Sequence, residues 1–205
     1  MEFRIDKVNI FGLENSLRAS GNPMRTEIEQ DIKNKDKALE RCKRLGNVPI
    51  GTGHDNFLKG IIVQFDLYAP LYMWKQIQRY HFLEIVSSQS TMHKLTQFEI
   101  DTQCTKETDK AILERYKTLL NEYKENKTEE KWRTLIASLP CGFILSATIS
   151  TNYQQLKTIY YQRKNHKLKE WRYFCDFIET LPYAKEIFLK EKTNENWKWL
   201  FNNWT

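Results

Sequence analysis

The segment from Ile61 to Tyr68 constrains this chain more than any other. Ile61, Val63, Phe65 and Leu67 alternate with Ile62, Gln64, Asp66 and Tyr68. Successive strand side chains point to opposite faces, so a period of two demands a strand with one buried face. Pro70 follows almost at once, and its fixed φ and missing N–H suit a first helical position. Leu71 to His81 then reads as a helix, with Leu71, Trp74 and Gln78 on one side and Met73, Ile77 and Tyr80 on another.

The rest of the chain repeats the mixture of strand and helix. Phe3, Ile5, Val8 and Ile10, closed by Phe11-Gly12, form a first strand candidate. Glu27 to Leu45 is charged and free of glycine, which reads as an exposed helix broken by Gly46, Pro49, Gly51 and Gly53. Ser87 to Thr91 reads as a polar loop. Thr108 to Lys124 is helical, with Ile112, Tyr116, Leu119 and Tyr123 as its apolar stripe. Asn126 and Glu129 form a capping box before Trp132, Leu135 and Ile136. Phe143, Leu145, Ala147 and Ile149 alternate as a further strand. Asn152 caps a helix from Tyr153 to Arg163, and another helix spans about Leu168 to Leu181. Thr193 to Trp204 reads as a short aromatic docking tail, with Trp197, Trp199, Phe201 and Trp204 as packing or interface anchors. Strands and long helices are interspersed, so the expectation is one α+β domain over residues 1–205 with more helix than strand.

Composition narrows the function classes. The 205 residues are 40% apolar and 13% aromatic, which excludes a largely disordered chain. No run approaches the 18 apolar residues of a membrane span, and Met1 to Ile10 lacks a signal-peptide core. Cys42, Cys104, Cys141 and Cys175 are widely spaced without C-x-x-C, which reads as free thiols in a reducing compartment, the cytoplasm. His54, His81, His93 and His166 lack metal-ligand spacing, so no metal is expected. The net charge of +6 is spread along the chain, so sequence-specific DNA binding ranks low.

Four stretches carry candidate chemistry. Gly51-Thr52-Gly53-His54 is either a plain turn or a loop that lets backbone approach a phosphate. Arg79, with Gln76 and His81, is either a surface ion-pair partner or a bidentate grip on a phosphate or a carbonyl pair. Ser87, Ser88, Gln89 and Ser90 form a solvent loop or a phosphate cradle. Between Asn152 and Arg172, the cations Arg163, Lys164, His166, Lys167, Lys169 and Arg172 interleave with Tyr160, Tyr161, Trp171 and Tyr173. That mix is a basic helix with core aromatics, a site for a ring-bearing anion, or a single-stranded nucleic-acid surface.

The order of these stretches resembles the flavin-dependent thymidylate synthase (ThyX) family. His54, the strand Gly60 to Tyr68, Ala69-Pro70, Gln76 and Arg79-Tyr80-His81 stand in the family's order, followed by the serine loop. Leu139-Pro140, the strand ending at Asn152, Leu156 and Arg163 complete it. The resemblance covers about residues 50–95 and 130–180. It implies helices packed around a small antiparallel sheet, a homotetramer with sites shared between subunits, and reductive methylation of a pyrimidine nucleotide, dUMP to dTMP or a relative. FAD would be the cofactor, with NADPH as reductant and methylenetetrahydrofolate as carbon donor. By the same resemblance His54, Arg79, His81 and Asn152 would contact the flavin nucleotide. Gln76 and Arg163 would hold the base, Ser88 and Ser90 its phosphate, and Arg163 would act catalytically by polarising the ring.

The chain also departs from the family's R-H-R-x-x-S-x-N-x-x-S-x-R signature. Tyr80 and His81 stand for the second and third residues. A one-residue shift restores polar groups in the loop, with Ser87 at the Asn position and Ser90 at the second Ser, but puts Met92 at the final Arg. Two further family arginines fall on Ile136 and Gln154. Two other function classes therefore stand beside the enzyme. One is a nucleotide-binding or sequestering protein without catalysis on the same scaffold. The other is a single-stranded nucleic-acid module built on the Tyr160–Tyr173 stretch.

Overall fold

The alternation at 61–68 is a strand, and it is central in its sheet. In a computed structural model, which describes residues 2–26 and 35–190 (the side chains of 35 and 36 excepted), strand β2 runs Ile62–Pro70. Val63, Phe65, Leu67 and Ala69 are buried, and the intervening residues are half-buried. With β1 (Arg4–Phe11), β3 (Leu83–Ser88) and β4 (Ile144–Asn152) it forms a four-stranded antiparallel sheet of order β1-β2-β4-β3. Helix outweighs strand among the described residues. The fold is α+β, as the interspersed pattern requires.

The described residues of Met1–Asn9 and Gln64–Thr151 form one compact unit, and those of Ile10–Val63 and Asn152–Thr205 a second. In the first unit, helix α3 (Leu71–Ile77) follows β2 without a loop. Its N-cap is Pro70, which offers no side-chain acceptor. The orphan donors Leu71 N and Tyr72 N instead reach the carbonyls of Phe143 (3.0 Å) and Cys141 (3.2 Å). The helix is shorter than its apolar pattern: it stops at Ile77, and turns closed by Tyr80 N to Ile77 O and Leu83 N to Tyr80 O lead into β3.

That third strand corrects the loop expected at 87–91. Ser87 and Ser88 pair with Thr148 and Ala147, and the ladder is offset after Ile85, so Val86 is a bulge. The short helices α4 (Thr91–Lys94) and α5 (Ile100–Gln103) follow, then α6 (Lys110–Glu125) and α7 (Glu129–Ala137). Leu95, Ile100, Cys104, Tyr116, Leu119, Leu120, Leu135 and Phe143 form their core. Ile112, expected in the α6 stripe, is exposed. The α7 cap is also not the expected one. Thr128 accepts from Lys131 N, while Asn126 ends α6.

The second unit is helical. It holds α1 (Leu13–Ala19), α2 (Lys35–Gly46), a 3-10 turn at Asn56–Gly60, α8 (Tyr153–Arg163), α9 (Lys169–Thr180) and α10 (Ala184–Ile187). Helix α8 packs on α9 and on the 3-10 turn, α1 on that turn and on α2, and α10 on α2 and α9. Gly12 has φ +73°, and a Cβ there would lie 2.4 Å from the Gly60 carbonyl oxygen, so only glycine fits this approach. The expected helix from Glu27 is seen from Lys35 onward; residues 27–34, and the aromatic tail with Trp197, Trp199, Phe201 and Trp204, lie outside the described residues.

Inside this unit Lys157 and Asp55 form a buried ion pair. Lys157 Nζ donates to Asp55 Oδ2 at 2.6 Å and to the Val48 carbonyl at 2.8 Å. Gln154 Nε2 donates to Asp55 Oδ1 at 3.0 Å. The two side chains are 0% and 1% exposed. Burial lowers the Lys157 pKa, and the Asp55 carboxylate opposes that shift. Removing one partner of such a pair strands a buried charge, whereas replacing both with apolar groups does not. Lys157→Met is therefore expected to cost about 3–5 kcal/mol in urea unfolding, and Asp55→Leu/Lys157→Met less than the single change. A Lys157→Met midpoint equal to wild type would refute the assignment.

Candidate functional site

Residues singled out by the sequence fall in both units. In the first, Gln76 lies on the last turn of α3, half-buried, and Arg79 and His81 lie in the turn that follows, both exposed. Neither the Arg79 guanidinium nor the His81 imidazole has a hydrogen-bond partner among the described residues; His81 packs edge-on to Phe82 at 4.9 Å. Tyr80, between them, is buried. This alternation follows from the turn, which sends Tyr80 inward and its neighbours outward. Two uncommitted groups beside each other are available to an anion.

Ser88 ends β3 with its side chain exposed. Ser90 caps α4, its hydroxyl accepting from His93 N at 3.1 Å. Between them Gln89 is fully engaged with the neighbouring strand: its N donates to Ser146 O at 2.9 Å, and its Oε1 accepts from Ser146 N at 3.0 Å. The Val86 bulge turns the end of the strand, so the serines leave the ladder next to this Gln89 clamp.

The outer face of the sheet in this unit is polar. Asp66 accepts from Thr148 Oγ1 at 2.6 Å and pairs with Lys7 at 2.9 Å, and these contacts hold its carboxyl below the ordinary range. Arg133, one turn from the position where an arginine is missing, is tied to Glu129 at 2.9 Å. Ile136 itself packs against the Leu95 core.

In the second unit His54 is exposed and has no hydrogen-bond partner among the described residues. The chain turns there through Gly51 and Gly53, both at positive φ, and is held by the buried Asp55. Asn152 is the N-cap of α8, its Oδ1 accepting from Gln155 N at 2.9 Å. This leaves the amide Nδ2 as its remaining donor. Arg163 ends the same helix and lies over Trp171, 4.8 Å from the ring centroid.

The basic and aromatic stretch is largely satisfied within itself. Trp171 is fully buried. The Tyr160 hydroxyl donates to Glu179 at 2.7 Å, and that of Tyr161 to the Phe188 and Lys190 carbonyls. Lys164 Nζ stands 5.7 and 5.9 Å from the Tyr160 and Tyr161 rings. Arg172 Nη1 donates to the carbonyls of His166 and Lys167. Of the four rings Tyr173 is exposed. The stretch holds Arg163 on an aromatic face but presents few faces for stacking bases.

Sequence reading missed Asp55, Gln154 and Lys157, which anchor the His54 turn to α8. One signal was present: Lys157 falls at i+4 from Tyr153 and i−3 from Tyr160, inside an otherwise apolar face. All four cysteines are free. Burial pushes the Cys104 thiol up to about 11 and that of Cys175 to about 12, so both stay protonated at neutral pH. No described helix is long and apolar enough to cross a membrane, and no described cluster of three or more His, Cys, Asp or Glu is positioned to hold a metal.

No protein-family model matches the sequence, and no curated protein matches it. Solved structures do. Thymidylate Synthase X (ThyX) from Helicobacter pylori, crystallised with FAD and dUMP, aligns over 92% of this chain and 98% of its own, with a TM-score of 0.69 and 15% identity. A second structure of that flavin-dependent enzyme, also with FAD and dUMP, covers 93% and 98% with a TM-score of 0.67 and 15% identity. The UMP/dUMP methylase PolB from Streptomyces cacaoi, bound to 5-Br dUMP, covers 92% of each chain with a TM-score of 0.63 and 10% identity. The fold is ThyX-like. The similarity in sequence is too low for the fold to carry activity with it.

His166 sits where two cations meet. Its Nδ1 accepts from Leu168 N at 3.1 Å, which requires that nitrogen unprotonated. Burial, Arg163 and Arg172 all lower its pKa. A base whose pKa is depressed by folding adds stability that is complete above its unfolded pKa, and loses it as pH falls through the folded one. An NMR titration of His166 is expected to give a pKa below the ordinary value of about 6.5. A value above it would show that the imidazole is not held neutral by this turn.

Proposed function

We propose that this chain binds a pyrimidine nucleotide together with FAD and catalyses a ThyX-like methylation of the pyrimidine, dUMP to dTMP or a related nucleotide. One observation carries the reading. On a ThyX-like fold, the side chains of Arg79, His81 and His54 are exposed and have no hydrogen-bond partner among the described residues, and Arg163 is held on Trp171 at the end of the helix that Asn152 caps. These are the positions that the resemblance assigns to the flavin and the base. Neighbours of the same fold were crystallised with FAD and dUMP.

The donor set suits these ligands. Arg79 and His81 would meet the flavin nucleotide's phosphates, with His54 and the Asn152 amide as further polar contacts. Gln76 would read the base edge. Ser88, and Ser90 through the oxygen lone pairs and proton left by its cap, would take the nucleotide phosphate. Arg163, whose planar fork matches two carbonyl oxygens, would orient the ring and stabilise negative charge developing on it. Bound flavin, reduced by NADPH, would supply the reducing chemistry for a carbon taken from methylenetetrahydrofolate. The chain would act as one domain, in a homotetramer whose sites are shared between subunits. Four free thiols favour a reducing compartment, the cytoplasm.

A second reading is favoured by the missing arginines. Gln154 is bound to Asp55, Ile136 lies against the core, and Met92 stands at the end of the serine motif. Each lost charged hydrogen bond removes about 1.5–3 kcal/mol from an anionic ligand. A nucleotide-binding or sequestering protein without turnover would tolerate such losses better than an enzyme with two anionic ligands.

The visible spectrum of purified protein and dUMP calorimetry test the shared part of both readings. Flavin absorbance and saturable dUMP binding are expected. Arg163→Ala should weaken dUMP at least about tenfold. Arg163→Lys should not restore it, because the fork is lost while the charge is kept. Unchanged affinity in a folded Arg163→Ala protein refutes the assigned base site. Labelled dTMP formed from dUMP selects the enzyme, and binding without it selects the sequestering protein.

A further inference from the structure

A small pocket in the first unit lies where the end of α6, the start of α7 and the segment 92–96 come together, and none of its lining residues is assigned to a ligand in the reading above. Its volume is about 290 Å³. That is close to the lower end of small-molecule sites, about 300 Å³, and suits one ring with one head group. The turn that forms it is fixed from both sides. Thr128 caps α7 by accepting from Lys131 N, and Lys131 Nζ donates back to the Glu122 carbonyl of α6 at 3.0 Å. Trp132, in the first turn of α7, and Tyr123, near the end of α6, therefore reach the same pocket.

Both rings are half-buried. A buried tyrosine or tryptophan ordinarily gives its polar tip a partner. Here neither the Tyr123 hydroxyl nor the Trp132 indole N–H has one among the described residues. The rest of the polar lining is basic: His93, Lys124 and Lys127, all exposed. Neither ammonium group and no nitrogen of the His93 imidazole is paired among the described residues. The negative end of α6 accounts for Lys124 in its last turn, but Lys127 lies beyond that helix. Of the neighbouring carboxylates, Glu122 pairs with Arg115 and Glu129 with Arg133, and no Asp or Glu enters the lining. The field inside favours an anion, and the rings offer it an apolar face.

We propose that this pocket binds a small phosphate ester of one planar ring, with the ring against Trp132 and Tyr123 and the phosphate held by Lys124, Lys127 and His93. Two lysines match a dianion better than a single carboxylate. The oxygens of a phosphate also give acceptors to several donors at once, the two ammonium groups, the indole and the phenol among them. The proposal does not depend on the nucleotide reading, since it uses none of the residues assigned there.

Calorimetry on the full chain with phenyl phosphate, benzoate and inorganic phosphate tests it. Phenyl phosphate is expected to bind in a 1:1 ratio, at least about tenfold more tightly than either of the others. Lys124→Gln/Lys127→Gln should weaken it at least about tenfold, and Trp132→Leu should bring it close to inorganic phosphate. The two lysines are exposed, so their variant decides even if Trp132→Leu does not fold. Benzoate or inorganic phosphate binding as tightly as phenyl phosphate, or phenyl phosphate affinity unchanged in the lysine variant, overturns the proposal. Arg163→Ala and a dUMP titration keep the two sites apart. Phenyl phosphate affinity retained in Arg163→Ala, with dUMP affinity retained in the lysine variant, supports a distinct pocket. A tenfold loss in either overturns its independence, and absence of dUMP binding in wild type refutes only the nucleotide reading.

Discussion

The buried pair of Lys157 and Asp55 fixes the geometry of the second unit. Two charges removed from water are held by three hydrogen bonds: one between them, one from Lys157 to the Val48 carbonyl, and one from Gln154 to Asp55. An apolar pair of equal volume would often be at least as stable. The ionic pair adds direction. It ties the segment around Val48, the turn carrying His54 and the first turns of α8 to one another, and α8 carries Asn152 at its start and Arg163 at its end. A hydrophobic patch would hold these segments together but tolerate sliding. A lysine with two defined acceptors does not. The fixed positions of His54, Asn152 and Arg163 therefore follow from one interaction among residues that touch no proposed ligand.

In the first unit the corresponding device is the end of β3. The strand is at the sheet edge, and after Leu83 every residue through Ser88 is exposed. Edge strands carry little packing information, so their conformation is set by pairing and bulges. Here Val86 is the extra residue, and Gln89 then mimics a strand partner by bonding both ways to Ser146. The one-residue offset in the serine motif falls on the same short stretch as this bulge. An extra residue absorbed there leaves the flanking ladder intact on both sides, which is why the offset costs the fold little.

How much of this was legible follows from locality. The alternation at 61–68 and the Asn152 cap are written within a few residues, and both were readable. β3 was not, because a strand exposed on both faces has no alternation to display, and its serines resemble a loop. Asn126 and Thr128 are both good cap residues two positions apart, and only the path of the chain chooses Thr128. Lys157 and Asp55 are 102 residues apart, so the lysine on an apolar face is visible locally but its partner is not. For the candidate site, the residue types were readable but their commitments were not. The Arg79 guanidinium has no hydrogen-bond partner among the described residues and Arg133 is tied to Glu129, a difference that no spacing rule contains.

The missing cation at position 154 has a physical counterpart in that same pair. An arginine there would face a carboxylate already neutralised by Lys157, placing two cations on one buried anion. The neutral amide of Gln154 satisfies the second oxygen of Asp55 without adding charge. The positive charge on this turn of α8 thus lies three residues further on, directed inward to the fold and away from any ligand. Ile136 makes a similar exchange, with an apolar side chain against the core where a cation would need solvent or an anion. At both positions the side chain present is engaged with the fold. The proposed nucleotide site would accordingly offer an anion fewer arginines, Arg79 and Arg163, than the resembled family's signature would supply. A ligand bound by so few charges must gain more of its affinity from the rings than from its phosphates.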